Sequence, residues 1–265
     1  MTVKQQAEHD AVSTPASVPM ITKLHRLLDD SAREWNLSSR AARWMFWSPV
    51  FGTLVVLASC AYRPLFTFLL DEDGLAEWLQ FGLFAIACVS GVVIARQLTK
   101  SRNVFYASLF GLFAIGMFFC AGEEISWGQR VFDVETPEGL LEVNKQNETN
   151  LHNVGNTLTY MRLVMATGAV VGGTAWFINR SLRIERLVPN AEVLFIPPPF
   201  LMAAFLVMFC YRMIRYAFPN LTGFTIVHLA EWPELCFAFA LSAFSFLIAR
   251  RLTTEAAAAS GNPAS

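Results

Sequence analysis

The sequence predicts an all-α fold, a polytopic membrane helix bundle with about six transmembrane helices, and three observations lead there. Hydrophobic residues fill 54% of the 265 positions and charged residues only 15%, against about 25% charged in an ordinary soluble domain. Six apolar runs approach the roughly 20 residues that cross a hydrocarbon core about 30 Å thick. These runs are continuous rather than alternating and are longer than a barrel strand, so a β-barrel reading fails.

In chain order, residues 1–43 read as a cytoplasmic N-terminal segment, disordered up to Pro19 and then helical around Ile21–Trp35. Ile21, Leu24, Leu28 and Trp35 approximate one face of that helix, and Lys23 and Arg26 suit lipid head groups, the pattern of an interfacial helix. Residues 44–251 form the membrane domain, with spans expected near Met45–Tyr62, Trp78–Ala95, Val104–Cys120, Leu158–Phe177, Phe200–Tyr216 and Phe224–Ala249. Pro197, Pro198 and Pro199 precede the fifth span, where a helix start tolerates missing backbone donors. Residues 252–265, rich in Ala and Ser, read as a flexible cytoplasmic tail. Cys60, Cys88, Cys120, Cys210 and Cys236 lie in or at the edges of spans without a close pair. They read as small buried thiols, with a disulfide near the outer surface as the alternative.

Orientation follows from the basic residues of the short connections. Lys4, Lys23, Arg26, Arg33, Arg40 and Arg43 precede span one; Arg96, Lys100 and Arg102 follow span two; Arg180, Arg183 and Arg186 follow span four; Arg250 and Arg251 follow span six. With six spans all of these fall on one side, which predicts a multi-pass protein with both termini cytoplasmic. The first outer loop carries Arg63 with Asp71, Glu72 and Asp73, and the loop after Cys120 is mostly acidic. The first forty residues lack the apolar core of a cleavable signal. A net charge of −1 offers no polycationic surface for nucleic acid. The lipid bilayer is the expected partner.

Given that orientation, ionisable residues from several helices fall in one layer near the outer boundary. Span three ends with Glu123, Glu124 and Arg130; span four begins with Arg162 about a turn deep; span five ends with Tyr211, Arg212, Arg215 and Tyr216; span six begins with His228, Glu231 and Glu234. Charge in a bilayer costs several kcal/mol unless paired or hydrated, so such groups are candidate functional residues. His228, Glu231 and Glu234 recur at a spacing of three on one helical arc. Glu123 and Arg130, seven apart, share a face if span three stays helical that far. Pro233 is expected to kink span six and free carbonyls. The loop from Asn144 to Asn153, with Glu148, Asn150 and His152, reads as a lid over a polar cavity or as an ordinary solvated loop.

Three chemistries suit these residue types. His152, His228 and Glu231, with Glu123 or Glu124, offer nitrogen and oxygen ligands for a divalent metal such as zinc. Alternatively Glu123, Glu124, His228 and Glu231 act as metal-free acid and base groups, while Arg130, Asn150, Arg162, Arg212 and Arg215 hold an anionic substrate group. In the third reading the same residues only tie helices together. No phosphate-binding glycine loop is present, and Ser126 lacks a nucleophile elbow.

The segment from Gly122 to Arg130 (GEEISWGQR), followed by Asn147 to His152 (NETNLH), resembles a signature of uncharacterised bacterial multi-pass membrane proteins. A more distant likeness is to CPBP-type intramembrane proteases. Glu123 and Glu124 match that family's carboxylate pair and His228 a later histidine, which implies a glutamate-activated water with histidine support. Arg130 stands two residues later than in that pattern, Glu148 precedes His152 where the family has Phe, and Trp232 follows His228 where it has Asn. Together these readings point to a bacterial inner-membrane enzyme that hydrolyses or transfers a group on a lipid-linked or membrane-embedded substrate at the periplasmic face. A transporter or proton-coupled permease and a non-enzymatic membrane assembly protein are the alternatives.

Overall fold

The computed structural model describes residues 19–71, 74–132, 134–141, 149–150, 157–188 and 190–259, with the side chains at 130, 131, 140, 141 and 185 outside that description. The helices run in the order α1 (Met20–Glu34), α2 (Ser39–Ser59), α3 (Arg63–Leu70), α4 (Leu75–Lys100), α5 (Val104–Glu124), α6 (Gln129–Phe132), α7 (Glu138–Leu141), α8 (Thr157–Leu182), α9 (Ala191–Leu194), α10 (Met202–Ala217), α11 (Phe224–His228) and α12 (Glu231–Ala259). No strand occurs among the described residues. Among the described residues, six helical stretches are long and apolar enough to cross a membrane: α2, α3 with α4, α5, α8, α9 through α10, and α11 with α12. The all-α bundle expected from the sequence is the observed fold.

α12 lies at the centre, packed against α4 on one side and α10 on the other; α5 pairs with α4, and α8 with α10. Phe200, Phe205, Met208, Ile94 and Ile248 are fully buried between them. Small residues permit the close crossings. A Cβ on Gly172 of α8 would stand 2.5 Å from the Phe205 ring, so Phe205 occupies the space a side chain would need. The outer faces remain apolar, with Leu54, Val89, Leu112 and Val164 exposed in a way that suits lipid contact.

Several boundaries differ from hydropathy for local reasons. α2 starts at Ser39, inside the segment expected to precede the bundle, because Ser38 Oγ caps it by accepting from the Ala41 amide at 3.2 Å. α1 presents the expected face, but to protein as much as to lipid: Leu28, Ala32 and Trp35 are buried, whereas Met20 and Ile21 stay exposed. Arg250 donates to the Trp35 and Asn36 carbonyls at 2.6 and 3.0 Å, joining α12 to the end of α1. The connection between the first two apolar runs contains α3, which buries Phe66 and Leu70 behind a helix start carrying Pro64. α12 continues to Ala259 through residues expected to form a flexible tail. Its alanines are strong helix formers, and Thr253 and Thr254 hydroxyls return to the carbonyls four residues back.

Pro233 does not kink span six. The break comes earlier, at Leu229 and Ala230 between α11 and α12, and Pro233 sits in the first turn of α12, where its missing N–H would be unpaired anyway. All five cysteines are free, with Cys60 and Cys210 exposed and Cys236 buried.

Candidate functional site

The first turn of α12 carries two carboxylates toward different neighbours. Glu231 faces α4, where Gln80 Nε2 donates to its Oε2 at 3.0 Å and to its main-chain carbonyl at 3.2 Å. Glu234 faces α10, where the Arg212 guanidinium donates to its Oε1 at 2.6 Å. A spacing of three places the side chains about 60° apart around the axis, so one turn meets both helices. Trp232, between them, locks the turn onto α2: its Nε1 donates to Thr53 Oγ1 at 2.9 Å, and its ring fills the notch above Gly52.

Around this turn the other carboxylates gather. Glu124 of α5 lies within electrostatic reach of Glu231 and Glu234, and Glu77 of α4 within reach of Glu124 and Glu231. On the α10 side, Arg162 of α8 is within reach of Arg212, Arg215, Tyr211 and Glu234. Arg212 is 3% exposed and lies 5.5 Å from the Tyr211 ring centroid, while Tyr211 donates its hydroxyl to the Ile226 carbonyl at 3.3 Å. Arg215 donates to the Leu221 carbonyl beyond the helix end. Of the three buried side-chain polar atoms that meet no hydrogen-bond partner among the described residues, two lie here, Gln80 Oε1 and Arg212 Nε; the third, Ser31 Oγ, is in α1. Buried polar groups are normally satisfied, so each marks a place for a further partner.

The remaining expected residues take other positions. α5 stops at Glu124, because Ser126, Trp127 and Gly128 follow with φ of 45°, 56° and 81°. This left-handed turn folds Trp127 back so that its Nε1 donates to Glu123 Oε1 at 2.6 Å, and its ring packs on Phe118 and Phe119. Glu123 and Arg130 therefore do not share one continuous helical face; the Arg130 backbone belongs to α6, and its side chain lies outside the described residues. Asn150 is buried and donates to Ser126 Oγ at 3.5 Å, while Gln129 Oε1 accepts from the Thr149 amide at 2.6 Å. The described part of the long loop thus tucks against this turn. Glu148 and His152 lie outside the described residues.

His228 ends α11 with its ring turned toward α3. Its Nδ1 meets the Phe224 carbonyl at 2.8 Å and its Nε2 stands 3.2 Å from Asp71 Oδ1, so both ring nitrogens face acceptors. Phe224 packs on the imidazole at 4.1 Å, and Arg63 lies over Phe224. No group of three His, Cys, Asp or Glu side chains converges to hold a metal ion among the described residues. Of the residues in the zinc reading, His152 lies outside the described residues, and His228, Glu231, Glu123 and Glu124 do not form a three-ligand group.

Sequence reasoning missed Glu77 and Gln80, though a signal was present. They stand three apart at the N-terminal end of the second apolar run, where hydropathy averaging submerged them. Asp71, the partner of His228, was assigned to a loop without a role.

The fold and the charged layer define a class, a multi-pass helical membrane protein with a carboxylate and arginine cluster at one end of its bundle. Within that class comparison singles out no relative, since no protein-family model, curated protein or solved structure matches the chain.

Proposed function

We propose that this chain is a bacterial inner-membrane enzyme, its termini cytoplasmic, that hydrolyses or transfers a group on a lipid-linked or membrane-embedded anionic substrate at the periplasmic face. The observation carrying this reading is Arg212. It is buried and fixed by Glu234 on one side, its Nε–H meets no acceptor among the described residues, and Arg162 and Arg215 are nearby. A guanidinium so placed suits a phosphate or carboxylate oxygen. Across the same helical turn, Glu231 and Glu124 supply acid and base groups. One carboxylate takes the proton of the attacking water or acceptor hydroxyl as the new bond forms, and the proton returns to the departing oxygen or nitrogen as the old bond breaks. Gln80 orients Glu231, and Trp232 holds the turn in register. His228, bonded to Asp71, steadies the α3–α11 cap and takes no proton-transfer part in this scheme.

The test is reconstitution of purified protein in vesicles of extracted bacterial membrane lipid, followed by lipid mass spectrometry. Wild type is expected to convert a lipid species, Glu231→Gln to abolish conversion while keeping its melting temperature within a few degrees, and Arg212→Lys to raise KM more than it lowers kcat. Proton-coupled flux without a chemical product supports the permease reading instead. Loss of folded yield in every charged-layer variant, with neither product nor flux in wild type, supports an assembly role.

A further inference from the structure

In the half of α4 remote from Glu77, a groove of roughly 730 Å³ runs along α4 and the facing side of α5. Cys88, Val92, Arg96 and Lys100 recur every four residues along one face of α4, with Gly111 and Phe118 on α5. The helices touch beside the groove, where a Cβ on Gly91 would stand 3.0 Å from Ala114 Cβ. Gly111 is different: a Cβ there would meet nothing within 4 Å, so its missing side chain leaves open space. The groove is chemically graded. Val92 and Phe118 are exposed apolar walls, and Arg96 and Lys100 sit one turn apart at the far end, with no ion pair among the described residues.

From Cys88 to Lys100 the slot extends about 18 Å at 1.5 Å per residue, close to the reach of an acyl chain. We propose that it binds an anionic glycerophospholipid, with an acyl chain along Val92, Gly111 and Phe118 and the phosphate between Arg96 and Lys100. Basic pockets between membrane helices recognise anionic head groups in this way. The basic residues elsewhere on this side, including Arg180 and Arg183, supply general attraction to an anionic leaflet and line no part of the groove. This site is independent of the charged layer, and its failure would leave the proposed chemistry untouched.

The test titrates full-length protein in detergent with mixed micelles of phosphatidylglycerol and phosphatidylcholine and reads bound lipid by native mass spectrometry. Preferential retention of phosphatidylglycerol is expected. Replacing both cations, Arg96→Gln with Lys100→Gln, should weaken it roughly 25-fold, at about fivefold per basic group. Gly111→Leu, which fills the slot and keeps both charges, should abolish it, while Arg180→Gln with Arg183→Gln leaves it unchanged. Equal retention of both lipids, retention that survives Gly111→Leu, or a second copy of the chain on this face in place of lipid overturns the proposal. If the double variant elutes as aggregate, Gly111→Leu and the lipid preference of wild type decide the matter.

Discussion

Trp232 shows how one side chain ties the candidate site to the frame. A Cβ on Gly52 would stand 2.2 Å from its ring, so Gly52→Ala must displace the indole and break its hydrogen bond to Thr53. Overpacking of this kind costs about 1–3 kcal/mol. A lowered thermal midpoint with red-shifted tryptophan emission is expected, and an unchanged midpoint would show that the ring has another resting place. Arg212 makes a second residue-scale case. Removing it strands Glu234 in a largely buried position, a loss of about 3–5 kcal/mol for a buried pair. Arg212→Ala with Glu234→Ala should therefore melt higher than Arg212→Ala alone. If the double variant is no better, the Arg212–Glu234 contact is not what holds the two helices.

At the scale of elements, α1 is joined to the bundle by apolar burial and one ion pair. Arg43 Nε and NH2 donate to the two Asp29 carboxylate oxygens at 3.0 and 2.6 Å. That guanidinium holds the Asp29 carboxyl below the usual carboxylate range, against a smaller opposing effect of burial. Because the folded pKa lies below the unfolded one, the pair stabilises docking above the unfolded value near 4 and loses its effect as pH falls through the folded value. Protection factors over Met20–Glu34, taken relative to the intrinsic exchange rate at each pH, should fall in acid in wild type and at neutral pH in Arg43→Ala. Equal protection in both proteins at neutral pH would leave α1 held by the burial of Leu28, Ala32 and Trp35 and by the Arg250 hydrogen bonds at its end. The periodicity of these residues made α1 legible in the sequence. What covers them was not, because an apolar stripe looks the same whether it faces lipid or a neighbouring helix.

At the scale of the whole molecule, the distribution of basic residues carries a topology that can be tested on intact cells. Cys60 is exposed at the end of α2, whereas Cys88 lies in mid-helix on α4. With the termini cytoplasmic, a membrane-impermeant maleimide added outside should label Cys60 and spare Cys88, and a fluorescent fusion after Ser265 should fold inside. Labelling of Cys60 only after lysis would invert the bundle and move the charged layer to the other face. The number of spans, their apolar character and the pooling of Glu124, Arg162, Arg212, Glu231 and Glu234 near one end were determined by the sequence alone, because helix length and charge position are local properties of the chain. Only the tertiary structure decided that Glu231 meets Gln80, that Glu234 meets Arg212, and that His228 turns away to Asp71. Those pairings depend on the rotation of each helix about its axis, which interhelical packing at Gly52 and Gly172 sets and no single span encodes.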